Sequence, residues 1–215
     1  MTGCGLVGIV PTMTSNLAPS TGRRDAVLGV SAAVALFASR VLWVPIADDV
    51  ASYRSVLAAG TGAAMVGSVL VVVAAVLVAA VVLTSLRLRA STRVGRGAAW
   101  VLAAGELSTV AIGVLGAWAA ATSSSTSVSD ADVSGAIDAV GAASMLSFLG
   151  LGGGIVLAVS LWRCRPSDRT GAVAAVGLGA AQVTVGGPVG PVVLAVGALA
   201  AVALGVAVVR PRPVG

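Results

Sequence analysis

Between Arg54 and Arg87 the chain carries no charged side chain. The run is built almost wholly from Val, Ala, Leu and Gly. From about Val56 it exceeds the ~18–20 residues that cross a hydrocarbon core roughly 30 Å thick. A helix that is apolar on every side must lie in lipid or deep in a large core. This chain has little with which to cover such a core: 58% of its 215 residues are hydrophobic and 10% are charged, against about 25% charged in soluble domains. The expected fold class is all-α, a polytopic transmembrane helix bundle.

Six runs read as spans, at about 26–44, 61–84, 98–120, 139–161, 171–186 and 191–209. A polar N-terminal tail (1–25) precedes them and a short tail (210–215) follows. In the first tail, Leu6–Val10 is too short for a signal-peptide core and no basic residue precedes it. Arg23 and Arg24 stand before the first run as in an uncleaved signal anchor. The second helix is long enough to project beyond the bilayer or tilt, and Asp48 or Asp49 can cap its start. GGPVGP at 186–191 is a turn signal between two short spans. The fifth span is only marginally long enough to cross, so a re-entrant hairpin over 171–209 is the alternative. Residues 122–138, TSSSTSVSDADVSGAID, read as a mobile acidic loop.

Charge placement tests this count. All 13 basic residues are Arg. With the N-terminus inside, Arg23, Arg24, Arg87, Arg89, Arg93, Arg96, Arg163, Arg165, Arg169, Arg210 and Arg212 fall on the cytoplasmic side. Arg54 alone falls in an outer loop, while Arg40 lies within a span. Asp48, Asp49, Asp130, Asp132 and Asp138 are outside. This is the positive-inside bias, with both termini cytoplasmic.

Composition also bounds the chemistry. There is no His, hence no His-ligated zinc, bis-His haem or Ser-His-Asp triad. Without Lys there is no Schiff base and no Walker-type phosphate lysine. No cofactor and no metal site is expected. Net charge is +5, but arginines at span ends with 3% aromatics do not make a nucleic-acid face. Cys4 and Cys164 form no CxxC pair and read as cytoplasmic thiols. The Ala, Val, Gly and Arg vocabulary fits a GC-rich bacterial genome and its cytoplasmic membrane.

One residue stands out. In VLAAGELSTVAIGVLGAW (101–118) every side chain suits hydrocarbon except Glu106. It lies ~12 Å from the cytoplasmic edge. A charged acid there costs ~2.5 kcal/mol or more unless it is paired, hydrogen-bonded or wetted. Gln182, at ~16 Å in the fifth span, is closest in depth, and Arg40 lies at ~21 Å. The candidate intramembrane polar site is therefore Glu106, Gln182, Ser108, Thr109 and Arg40. Side-chain lean sets Glu106 away from Arg40, so Arg40 is expected to snorkel outward, with a direct ion pair as the alternative.

Other features have plainer readings. Gly105/Thr109/Gly113, Gly150/Gly154/Ala158 and Gly197/Ala201/Gly205 are small-residue faces for close helix packing. LGLGGG at 149–154 lies within a span and lacks the βαβ setting of a nucleotide loop. Asp130-Ala131-Asp132 has DxD spacing but reads as a solvated acidic loop. The inner loop at 86–97 can meet anionic headgroups, and Trp43, Trp100, Trp118 and Trp162 sit at span ends as interfacial anchors.

Two passages, DDVASYRSVLAAGTGAAMVGSVL and RGAAWVLAAGELSTVAIGVLGA, carry a resemblance. The layout, with an arginine-led third span bearing a central acid and a long outer loop before the fourth, resembles a family of small bacterial six-span membrane proteins without assigned activity. It implies the same architecture over most of 26–209 and assigns no catalytic residue. The aromatic content common in that family is nearly missing here.

Three functions follow as expectations. The first is a non-enzymatic structural, accessory or regulatory component that meets the lipid bilayer and a membrane-protein partner or another copy of itself. The second is a small proton- or cation-linked transporter or channel using Glu106. The third, an intramembrane enzyme, lacks an acid pair or an activated nucleophile.

Overall fold

The computed structural model describes residues 20–42, 50–122, 129–164, 169–184 and 191–209. These are helical almost throughout, and no strand occurs among them. The helices are α1 (Ser20–Leu42), α2 (Val50–Val81), α3 (Arg93–Thr122), α4 (Asp130–Cys164), α5 (Arg169–Val183) and α6 (Pro191–Val209). Past Val81, α2 widens into a π-helical segment (Val82–Leu86) and ends in a short turn (Arg87–Arg89). Within that segment the Thr84 hydroxyl donates to the Ala80 carbonyl, 2.7 Å away, a back-bond that competes with regular helix pairing.

Each helix packs on the next, and α6 returns to α1, so the six form a closed ring. Neighbours run antiparallel. Along α3 and α4, Gly95 faces Ser160, Gly105 faces Gly150, and Ser108 bonds Ser147, one number falling as the other rises. Between α1 and α6, Gly29 meets Val208 while Gly197 meets Arg40.

Among the described residues, four helices are long and apolar enough to cross a membrane: Arg24–Leu42, Thr61–Arg89, Arg93–Thr122 and Asp130–Cys164. A shorter apolar helix covers Leu194–Val209. The 15 residues of α5 reach only ~22 Å. Polarity is distributed as lipid requires. Val34, Leu107, Met145 and Leu199 point outward, each more than 60% exposed, while Ser39, Arg40, Ser68, Glu106, Ser147 and Gln182 are buried. A soluble protein does the reverse with its charges. The main apolar core joins Leu86, Leu102, Leu157, Leu161, Leu178 and Leu204.

Close helix approach rests on glycine where the small-residue faces place it. A Cβ on Gly153 would stand 2.7 Å from the Leu102 amide nitrogen and 2.9 Å from the Ala98 carbonyl oxygen. One on Gly154 would meet the Ala175 carbonyl. LGLGGG is thus a helix seat within α4. On α6, by contrast, Gly205 has only ordinary contact with Ala33.

The acidic loop expected over 122–138 is much shorter. Helix α4 begins at Asp130, because Ser129 and Asp132 cap it reciprocally. The Ser129 hydroxyl accepts from the Asp132 amide at 3.2 Å, and the Asp132 carboxylate accepts from the Ser129 amide at 3.3 Å. This is a capping box with Asp in the Glu position. Asp130 pairs with Arg54 at 2.9 Å. Both acids of the DxD spacing therefore serve the helix start, which also favours negative charge. At the opposite end, Thr92 caps α3 by accepting from the Gly95 amide at 3.0 Å and meets Ser160 of α4 at 2.8 Å.

The arginine-rich end is ordered by Trp100 and Trp162, on which Arg87 and Arg169 rest at 5.0 and 5.3 Å from the ring centres. Cys4, Trp43, Asp48, Asp49, Arg165, Arg210, Arg212 and residues 186–190 of the GGPVGP turn lie outside the described residues.

Candidate functional site

Three alternate helices of the ring bring polar side chains to its middle. On α3, Ala99, Leu102, Glu106, Thr109 and Ile112 recur at helical spacing and are all buried, so Glu106 (5% exposed) belongs to the inner stripe. On α5 the corresponding stripe is Ala175, Leu178 and Gln182, the last 2% exposed. On α1 it is Ala32, Leu36 and Arg40, with Arg40 4% exposed. Each polar group stands where the helical period would otherwise place a core aliphatic.

Gln182 is the hub. Its Nε2 donates to Glu106 Oε1 at 2.7 Å and to the Leu102 carbonyl at 3.0 Å. Its Oε1 occupies the space that Cβ atoms on Gly105 and Gly150 would fill. The two glycines therefore do more than seat α3 on α4, for they admit the amide from α5. One residue earlier, the Ala181 carbonyl accepts from Arg40 Nη2 at 2.6 Å. Ala181 lies in the last turn of α5, where carbonyls lack helical partners and attract cations. The stem of Arg40 lies over Gly197, at which a Cβ would stand 2.8 Å from Arg40 Cγ.

The outward path expected for Arg40 is corrected by this arrangement. Its guanidinium turns into the bundle, because the Ala181 carbonyl at the end of α5 accepts it as a second donor beside the Thr184 hydroxyl, 2.8 Å away, and Gly197 leaves room for the stem. Arg40 and Glu106 line one void without forming an ion pair within 4 Å. The void measures about 10 Å³ and is also bordered by Ser39, Val71, Thr109 and Leu178. That is about the space one water needs. On residues that line it, Arg40 Nε and Nη1 and Thr109 Oγ1 have no partner among the described residues, nor has Gln182 Oε1, which points between Gly105 and Gly150.

Of the five candidates, Glu106, Gln182, Thr109 and Arg40 come together at the void. Ser108 does not. Its hydroxyl donates to the Gly105 carbonyl at 2.6 Å and meets Ser147 Oγ at 3.0 Å, inside the α3–α4 seam.

Sequence reasoning missed Ser147 and Arg89. Ser147 stands three residues before Gly150 on the same face, a spacing that could have revealed it. By sequence Arg89 belongs to the inner loop, yet it is buried and donates from Nη2 to the Ala207 carbonyl. Ala207 is in the last turn of α6, so Arg89 does for α6 what Arg40 does for α5.

Chemically the centre can fasten helices, hold a water, or pass a proton between that water and the carboxyl. Among the described residues no group of three or more His, Cys, Asp or Glu is placed to hold a metal. No protein-family model, curated protein or solved structure matches the chain.

Proposed function

We propose that this is a six-span membrane protein of the bacterial cytoplasmic membrane, with both termini cytoplasmic. In this reading it is a non-enzymatic component that packs against or regulates a membrane partner. Its polar centre is a structural tie. One observation carries this: the hydrogen bonds of Gln182 and Arg40 join α1, α3 and α5, helices that are not ring neighbours. Lipid supplies no hydrophobic drive for helix association, so packing and interhelical hydrogen bonds must hold a bundle together. Antiparallel order around the ring and the arginines at one end support the topology. In this reading α5 crosses in spite of its length, shielded between α4 and α6 and matched by local thinning. The likeness in layout to small six-span bacterial proteins belongs to the same proposal.

The unpartnered atoms around the void favour a second reading. A water bridging Arg40, Thr109 and Glu106 would make a proton- or cation-linked site. Proteoliposomes separate the two. The structural reading expects no flux driven by a pH gradient and a Glu106→Gln variant that still folds, since the amide oxygen still accepts from Gln182. Flux by the parent chain that Glu106→Gln abolishes would replace it with the transport reading.

A further inference from the structure

Away from the polar centre, a groove of about 480 Å³ opens on the outer surface between α4, α5 and α6. That is within the ~300–1,000 Å³ of sites that bind small molecules. Its walls include Val159 and Trp162 of α4, Val173 and Val176 of α5, and Val196 and Leu199 of α6. The groove exists because α5 is short and small-sided. Gly177 lets the backbone of α6 come close, a Cβ there standing 3.1 Å from Ala200 Cα, and Ala172 leaves the wall beside Trp162 shallow. The surface that the groove exposes is wholly apolar, so it offers a polar solute nothing to bond.

The mouth is different. Trp162 is 53% exposed, and Arg169 from the first turn of α5 rests on its ring. Arg163 follows Trp162 and is exposed on the last turn of α4. In sequence, residues 163–169 hold three arginines, Arg163, Arg165 and Arg169, against one acid, Asp168. The site thus has an apolar trough and a cationic rim, with an indole at the boundary. Guanidinium groups bind phosphate in bidentate fashion, and indole rings settle at headgroup level.

We infer that this groove holds an acyl chain of an anionic phospholipid, its phosphate bound by Arg163 and Arg169. The inference rests on the membrane reading alone and is independent of what Glu106 does. A second copy of this chain or a partner helix would need a surface that fills the trough, whereas a single acyl chain fits it and brings the charge that the rim complements.

The test uses the full chain in nanodiscs of equal phosphatidylglycerol and phosphatidylcholine, with Trp43, Trp100 and Trp118 replaced by Phe so that Trp162 alone reports. Brominated phosphatidylglycerol should quench Trp162 well beyond brominated phosphatidylcholine at the same mole fraction. About tenfold enrichment is expected, given the attraction that each arginine adds near phosphate. Arg163→Gln with Arg169→Gln should abolish the preference while leaving quenching by both lipids. Val176→Phe, which fills the trough, should lower both. Native mass spectrometry of the unaltered chain gives the same answer without the Phe replacements, as retained phosphatidylglycerol that the double Gln variant loses. Equal quenching by the two lipids together with no retained lipid overturns the inference, as does a crosslink through Trp162 to a second copy or another protein. A chain that never enters nanodiscs would overturn the membrane reading too; an inserted chain without retained lipid overturns this inference only.

Discussion

The seam between α3 and α4 and the tie across α1, α3 and α5 hold the same bundle by different means. The seam is continuous: Gly95, Gly105, Gly150 and Gly153 bring backbones close over several turns, and the Ser108–Ser147 hydrogen bond is a small addition to it. The tie is a point. It joins helices with little mutual packing through three side chains and two backbone carbonyls. In lipid the first kind of contact spreads its energy over many van der Waals pairs. The second concentrates it where an unpaired group would be costly. Single changes in the tie should therefore act through unpaired polar groups, and changes in the seam through displaced backbone.

That contrast orders the expected effects of substitution on equilibrium unfolding in mixed micelles. Arg40→Leu should be the most damaging, at about 3 kcal/mol, because it removes the cation that faces the buried Glu106 carboxyl across the void and one of the two donors to the Ala181 carbonyl. Adding Glu106→Leu to it should cost less than the two separate losses summed; strict additivity would show that the two groups ignore each other. Next comes Gly153→Val, at about 2 kcal/mol, through overpacking against the backbone of Leu102 and Ala98. Unchanged stability there would mean that the seam yields easily. Gln182→Leu removes two hydrogen bonds and should cost about 1 kcal/mol, in line with the modest worth of such bonds in membranes. Ser147→Ala should be smallest, at about 0.6 kcal/mol. A loss as large as that of Gly153→Val would place the strength of the seam in its hydroxyls.

The sequence was informative where one dimension suffices. Apolar runs located the helices, and small residues at four-residue spacing marked Gly105, Gly113, Gly150 and Gly154 as sites of close approach. Depth along a helix brought Glu106 and Gln182 together in advance. Rotation about the helix axis was not legible. Ser108 and Thr109 are adjacent in sequence, yet one enters the α3–α4 seam and the other faces the void. The direction of Arg40 depended on a carbonyl at the end of α5 and on a glycine in α6, far along the chain. The capping of α4 was written in Ser129 and Asp132, but an abundance of Ser and Asp looked like a loop. Arg89 resembled its loop neighbours until the end of α6 gave it a partner.

The most direct test of the tie is a double-mutant cycle in lipid on Glu106→Leu and Gln182→Leu. If Gln182 fastens α5 to α3 through the Glu106 carboxyl, the pair should show a coupling of about 1 kcal/mol, the double variant losing less than the two single losses combined. Losses that add to within about 0.3 kcal/mol would mean that the contact carries no energy, and the account of the polar centre as a structural tie would be wrong.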